Sequence, residues 1–270
     1  MRSTDMFRQL VYEYHAGHGR ELPWRRTEDP WQVLVSEVML QQTQVDRVIP
    51  KFTAFVDRFP GPAALATAPL PDLLMIWQGL GYNRRALNLQ RSAQMLMTRW
   101  GGLLPEEPQE LQQLPGIGPY TAGAIAAFAF NRPSVFLETN IRAVLLHLFC
   151  SDRHDITDRE LLPLVEGTLD QHQPRLWYNA LMDYGSDLKR RFPNPGRRSR
   201  HHSLQSRFEG SDRQVRGALL RLLLGEGGKT AGALCDSLGV EKQRLRNILS
   251  GMVQEGFLVR RGLRYLIPPA

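Results

Sequence analysis

Cysteine is scarce: the 270 residues include two, Cys150 and Cys235. Two thiols cannot complete a four-thiolate zinc or iron–sulfur site within one chain, so reduced structural thiols are expected and no metal cofactor. Long apolar runs are missing as well, which excludes a membrane-spanning helix as an expectation. The opening residues 1–20 carry an amphipathic helical pattern in place of an export signal. A cytoplasmic location, on the nucleoid in a bacterium, is therefore expected. Acidic residues are in deficit, 27 against 34 Lys and Arg, for a formal charge of +7. A polyanionic partner accounts for such a surplus through counterion release, although solvated proteins without one are also mildly basic. Alternating strand patterns are lacking through residue 187.

What is present is helical. A hydrophobic share of 42% with 23% charged residues is ordinary for a folded chain and excludes wholesale disorder. Asp29-Pro30 reads as an N-cap with proline at the first helical position. Trp31, Leu34, Val35, Val38 and Met39 then recur at helical spacing on one buried face, and Glu37 falls at its edge. Pro50, Pro60, Pro71 and Pro105 punctuate further short helices. Residues 1–187 thus read as an all-α, two-lobed body. From Leu188 to Arg216 there are nine Lys or Arg against two acids, with Pro and Gly and no apolar period. Residues 188–211 are expected to be a linker with little regular structure, either a solvated tether or a basic strap along phosphates. Residues 212–270 read as three helices and two short strands around Arg261-Gly262, the pattern of a winged helix. Gln243, Arg244, Arg246 and Asn247 fall on the exposed face of its third helix; DNA contact and a bracing role are both open.

Leu114-Pro115-Gly116-Ile117-Gly118 precedes a helix of small residues, TAGAIAAFAF. Glycine lets such a hairpin turn sharply and approach a phosphate. The N–H groups of Gly116 and Gly118, with the start of the next helix, would form an anion site. Any tight helix–helix turn uses glycine similarly, so the context carries the weight.

That context is a series of five segments in order: SEVMLQQTQVDRVIPKF, WQGLGYNRRALNL, LPGIGPYTAGAIAAFAF, FLETNIRAVL and WYNALMDYGS. Over about residues 5–190 the chain resembles the helix-hairpin-helix glycosylases of the endonuclease III superfamily, and most of all their adenine mismatch glycosylase branch. The resemblance implies a helix-hairpin-helix fold and, as partner, double-stranded DNA holding a mismatched or damaged base. A monomer with no membrane partner is expected.

By the same resemblance, Glu37 is the general acid that protonates the departing base, and burial beside Leu34 and Val38 would raise its pKa as required. Glu138 stands where the family has aspartate facing the sugar cation, and Asn140 stands beside it. An extra methylene moves a charge by roughly an ångström, which can cost about a hundredfold in rate. A repositioned working carboxylate, an attenuated enzyme and a shifted substrate are all open. Tyr120 replaces the lysine of the strand-cleaving branch, so little lyase activity is expected. Trp24, Arg25 and Asp183 match positions that hold the extruded base. Gln41, Gln42 and Tyr82 match residues that enter the gap in the stack; Arg84 and Arg85 beside Tyr82 are open between phosphate contacts and ordinary solvated charges. Asn194-Pro195-Gly196-Arg197-Arg198 stands where the family binds its four-cysteine cluster, which places Arg197 and Arg198 as DNA contacts. The family's C-terminal domain, which helps recognise 8-oxoguanine, is replaced by the winged-helix pattern. Adenine opposite guanine or 8-oxoguanine is the expected substrate. Hypoxanthine, uracil, thymine or an alkylated purine, or non-catalytic DNA binding, are the alternatives.

Overall fold

The structure, a computed structural model, describes residues 4–202 and 207–268. Its first six helices are α1 (Thr4–His18), α2 (Pro30–Leu40), α3 (Val45–Arg58), α4 (Pro62–Ala66), α5 (Leu70–Trp77) and α6 (Arg84–Arg99). Then come α7 (Pro108–Leu111), α8 (Pro119–Phe130), α9 (Thr139–Phe149), α10 (Asp158–Thr168) and α11 (Pro174–Arg191). The C-terminal elements are α12 (Asp212–Glu226), β1 (Lys229–Thr230), α13 (Ala231–Leu238), α14 (Lys242–Glu255), β2 (Val259–Arg261) and β3 (Arg264–Leu266). They form two compact units, Met1–Glu37 with Leu104–Leu204 and Val38–Leu103 with Gln205–Ala270. This grouping cuts across a division of the sequence at 187 and 211.

Local chemistry sets the boundaries. Asp29 Oδ1 accepts the Trp31 N–H at 2.9 Å, with Pro30 opening α2, and the stripe from Trp31 to Met39 is buried. In the first unit, Phe7 and Val11 of α1 pack with α8, α9, α10 and α11 around Trp177. Phe7 and Tyr12 both meet the Trp177 ring edge-on, at 5.4 Å. The small residues of α8 bury almost every side of that helix, as expected of a helix that is apolar all round.

In the second unit, Ser211, Thr230 and Glu241 cap the starts of α12, α13 and α14. Gly239 and Gly256 end α13 and α14 in the left-handed region. The sheet order is β1-β3-β2, antiparallel throughout, and Gly262 at φ 59° turns β2 into β3. Strand β1 escaped the sequence reading because two residues show no period and pair only through β3. Leu219, Leu234, Leu249, Met252 and Phe257 share one core with Leu74 of α5 and Leu87 of α6. The C-terminal elements therefore brace α5 and α6.

The stretch 188–211, expected to be a linker with little regular structure, carries two regular pieces in its described part; residues 203–206 lie outside the described residues. Helix α11 runs on to Arg191, and Pro195–Arg198 forms a 3-10 turn capped by the Asn194 side chain. The Arg198 guanidinium donates to the carbonyls of Leu146 at 2.8 Å and Cys150 at 3.0 Å, and also to that of Ser151. It thereby satisfies the C-terminal carbonyls of α9, which have no intrahelical donors. Arg198 is thus a structural cap, whereas Arg197 is exposed.

Candidate active site

Glu37 sits in the last turns of α2 and is 7% exposed. Burial, and secondarily the negative charge of Glu138, push its pKa up to about 8. The group therefore holds a proton at neutral pH, as a general acid requires. Tyr120, in the first turn of α8, feels the same two carboxyls, and its phenol is pushed well up by burial first and by them second. Glu37, Glu138 and Tyr120 are thus brought into one electrostatic environment within the first unit.

Glu138 is the N-cap of α9. Its Oε2 accepts the Asn140 N–H at 2.5 Å, and its Oε1 accepts the Thr139 hydroxyl at 2.7 Å and the Asn140 side-chain amide at 3.0 Å. The longer glutamate folds back onto its own helix start, so its charge lies where an N-capping carboxylate belongs. Phe136, two residues earlier, packs against Tyr178 at 4.0 Å and Tyr120 at 5.7 Å and fixes the approach of the chain. Asn140 is fixed in turn by Gly185 of α11, where an added Cβ would stand 2.3 Å from the Asn140 carbonyl oxygen. Gly185→Ala should therefore push α9 and α11 apart, costing about 1–3 kcal/mol in a denaturant melt and lowering the reaction rate with it.

One turn beyond Gly185 lies Lys189, which sequence reasoning had counted only among the linker charges. It is half-buried; burial lowers its pKa and the charge of Glu138 opposes that. The 185/189 helical spacing was the available signal.

Trp24 is buried in a 3-10 turn, Pro23–Arg25. Asp183 was expected to hydrogen-bond the base directly, but its side chain is 1% exposed and both oxygens are occupied. Oδ1 accepts from Arg20 Nε at 2.5 Å and Arg25 Nη2 at 2.9 Å. Oδ2 accepts from Arg25 Nη1 at 2.7 Å and the Arg20 backbone N–H at 3.1 Å, with His15 Nδ1 at 3.0 Å. Burial alone would raise the Asp183 pKa, but the two arginines hold it below the usual value. Asp183 thus clamps Arg25.

The hairpin behaves as its glycines require. Gly116 adopts φ 82° and Gly118 is the N-cap of α8. In the second unit, Gln41 and Gln42 follow α2 and Tyr82 precedes α6. Arg85, expected either at phosphates or in solvent, is buried. Its guanidinium donates to the carbonyls of Val38 at 2.9 Å, Met39 at 2.8 Å and Gln41 at 2.5 Å, closing the end of α2. It also reaches the carbonyls of Leu80 at 3.3 Å and Gly81 at 3.1 Å, so one side chain positions both turns. Arg84 pairs with Glu255 at 2.8 Å.

A four-thiolate cluster does not fit these residues. Cys150 stands at the C-cap of α9, Cys235 lies in α13 with Sγ 2.9 Å from the Val240 carbonyl, and no cysteine follows α11 before it. Among the described residues no group of three or more His, Cys, Asp or Glu is placed to hold a metal ion. No helix is long and apolar enough to cross a membrane among the residues described.

Known proteins resemble this chain in sequence and in fold. The family model described as HhH-GPD superfamily base excision DNA repair protein matches residues 35–166. The adenine DNA glycosylase of Mycolicibacterium smegmatis is 35% identical over 221 residues, which cover 76% of this chain and 75% of that protein. Adenine DNA glycosylase of Buchnera aphidicola subsp. Baizongia pistaciae is 36% identical over 186 residues, 68% of this chain and 53% of its own length. The chain thus spans about half the length of that relative. A thermostable thymine-DNA glycosylase structure superposes with a TM-score of 0.61 at 22% identity, covering 68% of this chain and 86% of that one. A non-covalent endonuclease III–DNA complex gives 0.57 at 20% identity, with 67% and 85% covered. At these identities the structures establish the fold. The chain belongs to the HhH-GPD superfamily of base excision DNA repair proteins and, within it, to the adenine DNA glycosylase family.

Proposed function

We propose that the chain is a monofunctional DNA N-glycosylase that removes adenine mispaired with guanine or 8-oxoguanine. The observation that carries this reading is Glu37, buried and holding its proton up to about pH 8 opposite the charge of Glu138. Glu37 gives its proton to a ring nitrogen of the extruded adenine, the N-glycosidic bond breaks, and its electron pair leaves with the neutral base. Glu138 faces the sugar cation that remains, held by Thr139 and Asn140. Water then adds to the anomeric carbon, and its proton returns to Glu37. Tyr120 offers no amine for an imine with the abasic sugar, so the strand stays intact.

Double-stranded DNA is the partner, gripped at Gly116, Gly118 and the start of α8, with Arg197 exposed for phosphates. Trp24 and Arg25 bind the base, and Arg25 is aimed by Asp183. The protein acts as a monomer without an iron–sulfur cluster, in the cytoplasm on the nucleoid.

Labelled duplexes carrying a panel of mismatches and lesions, treated with protein and then hot alkali, test the reading. Cleavage at adenine opposite guanine or 8-oxoguanine is expected. No abasic product from any duplex would overturn the enzyme, and product only at other bases would overturn the adenine assignment. Glu138→Asp should retain or raise the rate, because aspartate caps equally well. Glu138→Gln should lower it about a hundredfold. A full rate for Glu138→Gln would mean that a neutral cap suffices.

A further inference from the structure

The antiparallel strands β2 and β3 set Arg261 directly opposite Arg264. Like charges so placed destabilise a ladder. The hairpin holds no counter-charge: residues 256–270 include no Asp or Glu, and among the described residues neither guanidinium makes an ion pair. On its other side Arg264 faces Thr230 of β1, which brings no charge either. Gly262 and Leu263 make the turn, and Leu263 is 73% exposed, so the tip stands clear of the core that holds Phe257, Leu258 and Ile267. Arg260, pointing to the opposite face, donates from Nε to the Gly262 carbonyl at 3.0 Å, with its guanidinium 5.9 Å from the Tyr265 ring centroid. Arg260 thus braces the turn, and Arg261 and Arg264 remain together as two exposed cations.

Helix α14 is the other surface that a winged-helix pattern would offer. Three of the four polar residues expected on its exposed face are taken. Arg244 pairs with Asp212 at 2.7 Å and donates to the Gly210 carbonyl at 2.6 Å, and the Gln243 amide donates to Asn247 at 3.1 Å. The hairpin instead keeps a mutual repulsion that an external anion would relieve.

We propose that the β2–β3 hairpin is a second contact with duplex DNA, in which Arg261 and Arg264 each neutralise a backbone phosphate. This rests on the reading of duplex DNA as the chain's partner. Facing Cα atoms of an antiparallel pair stand about 5 Å apart, and phosphates of one strand advance about 3.4 Å each along the axis. Two diverging guanidinium groups so placed reach neighbouring phosphates. A lone carboxylate would satisfy one arginine, whereas the repeated anions of a backbone satisfy both. Such contacts add affinity and fix register whatever the flanking sequence. The C-terminal elements thus bind DNA through this hairpin as well as bracing α5 and α6.

Equilibrium binding of the full chain to a duplex with a tetrahydrofuran abasic analogue opposite guanine, between about 50 and 200 mM salt, tests the contact. Arg261→Gln and Arg264→Gln should each reduce the slope of log affinity against log salt by about 0.9, and the double variant by about 1.8. The ratio of native to double-variant affinity should therefore fall about tenfold over that range. Arg221→Gln, the same charge removed from an exposed site on α12, should leave the slope unchanged. Without DNA the double variant should melt no lower than the native chain, because its repulsion is gone. A lower melt would make the pair structural and overturn the proposal. An unchanged slope in the double variant, as for a hairpin kept for an acidic protein, overturns it too. So does a slope that Arg221→Gln reduces as much as either hairpin variant, since net charge alone would then explain the effect. A native chain that binds this duplex at no salt concentration overturns the duplex-DNA reading together with the contact. Native binding with a slope that the double variant shares overturns the contact alone.

Discussion

Glu37→Gln is expected to abolish base excision, a loss on the order of a thousandfold or more for removal of a general acid, while making the protein more stable at alkaline pH. The two effects share one cause. In the folded chain Glu37 keeps its proton to about pH 8, whereas its ordinary value is 4.5. Below 4.5 the group is neutral in both folded and unfolded chains and costs nothing. Between these values the unfolded chain ionises and the folded chain does not, so stability falls as pH rises. Above about 8 the penalty is complete, on the order of 5 kcal/mol for a buried group. Glutamine fills the same space without a charge. Thermal melts should therefore show the variant several degrees above the native protein at about pH 9 and nearly level with it at about pH 5. Equal melts at both pH values would mean that Glu37 is not held neutral by burial.

The second large effect is on folding, beside the loss of aim that Arg25 suffers. Asp183→Ala should destabilise the protein by about 3–5 kcal/mol in a urea titration without DNA, because it leaves Arg20 and Arg25 unpaired beside a buried site. The Asp183 carboxyl is held below its ordinary value, so its contribution is present above that value and is lost as pH falls through the lowered one. The difference between native and variant should therefore shrink on acidification. An aspartate used only to contact the base would instead lower excision and leave the urea midpoint unchanged. That outcome would remove the clamp from the account.

Local patterns were readable in the sequence and remote partners were not. The stripe from Trp31 to Met39, the Asp29 cap and the Gly116 turn depend on neighbours within a few residues, and periodicity or turn chemistry reveals them. The partners of Asp183 lie 158 to 168 positions away, at Arg25, Arg20 and His15. Nothing in the segment around Asp183 signals that its oxygens are occupied. Arg85 and Arg198 are similar: each looked like a solvated or phosphate-binding charge, and each closes the end of a helix 44 or more positions away. Basic composition records how many arginines there are, not which have carbonyl partners. At Glu138 the sequence exposed the extra methylene, and the fold of that side chain onto the start of α9 supplies its physical resolution.

The central claim is that a protonated Glu37, kept so by burial and by the charge of Glu138, drives adenine excision. Single-turnover excision of adenine opposite guanine, followed across pH for the native chain and for Glu138→Gln, tests it most directly. The account predicts a native rate that falls as pH rises through about 8. In the slower Glu138→Gln variant that limb should move to lower pH, since one of the two causes of the raised pKa is gone. A native rate that stays level through this range, or a limb that Glu138→Gln leaves in place, would contradict it.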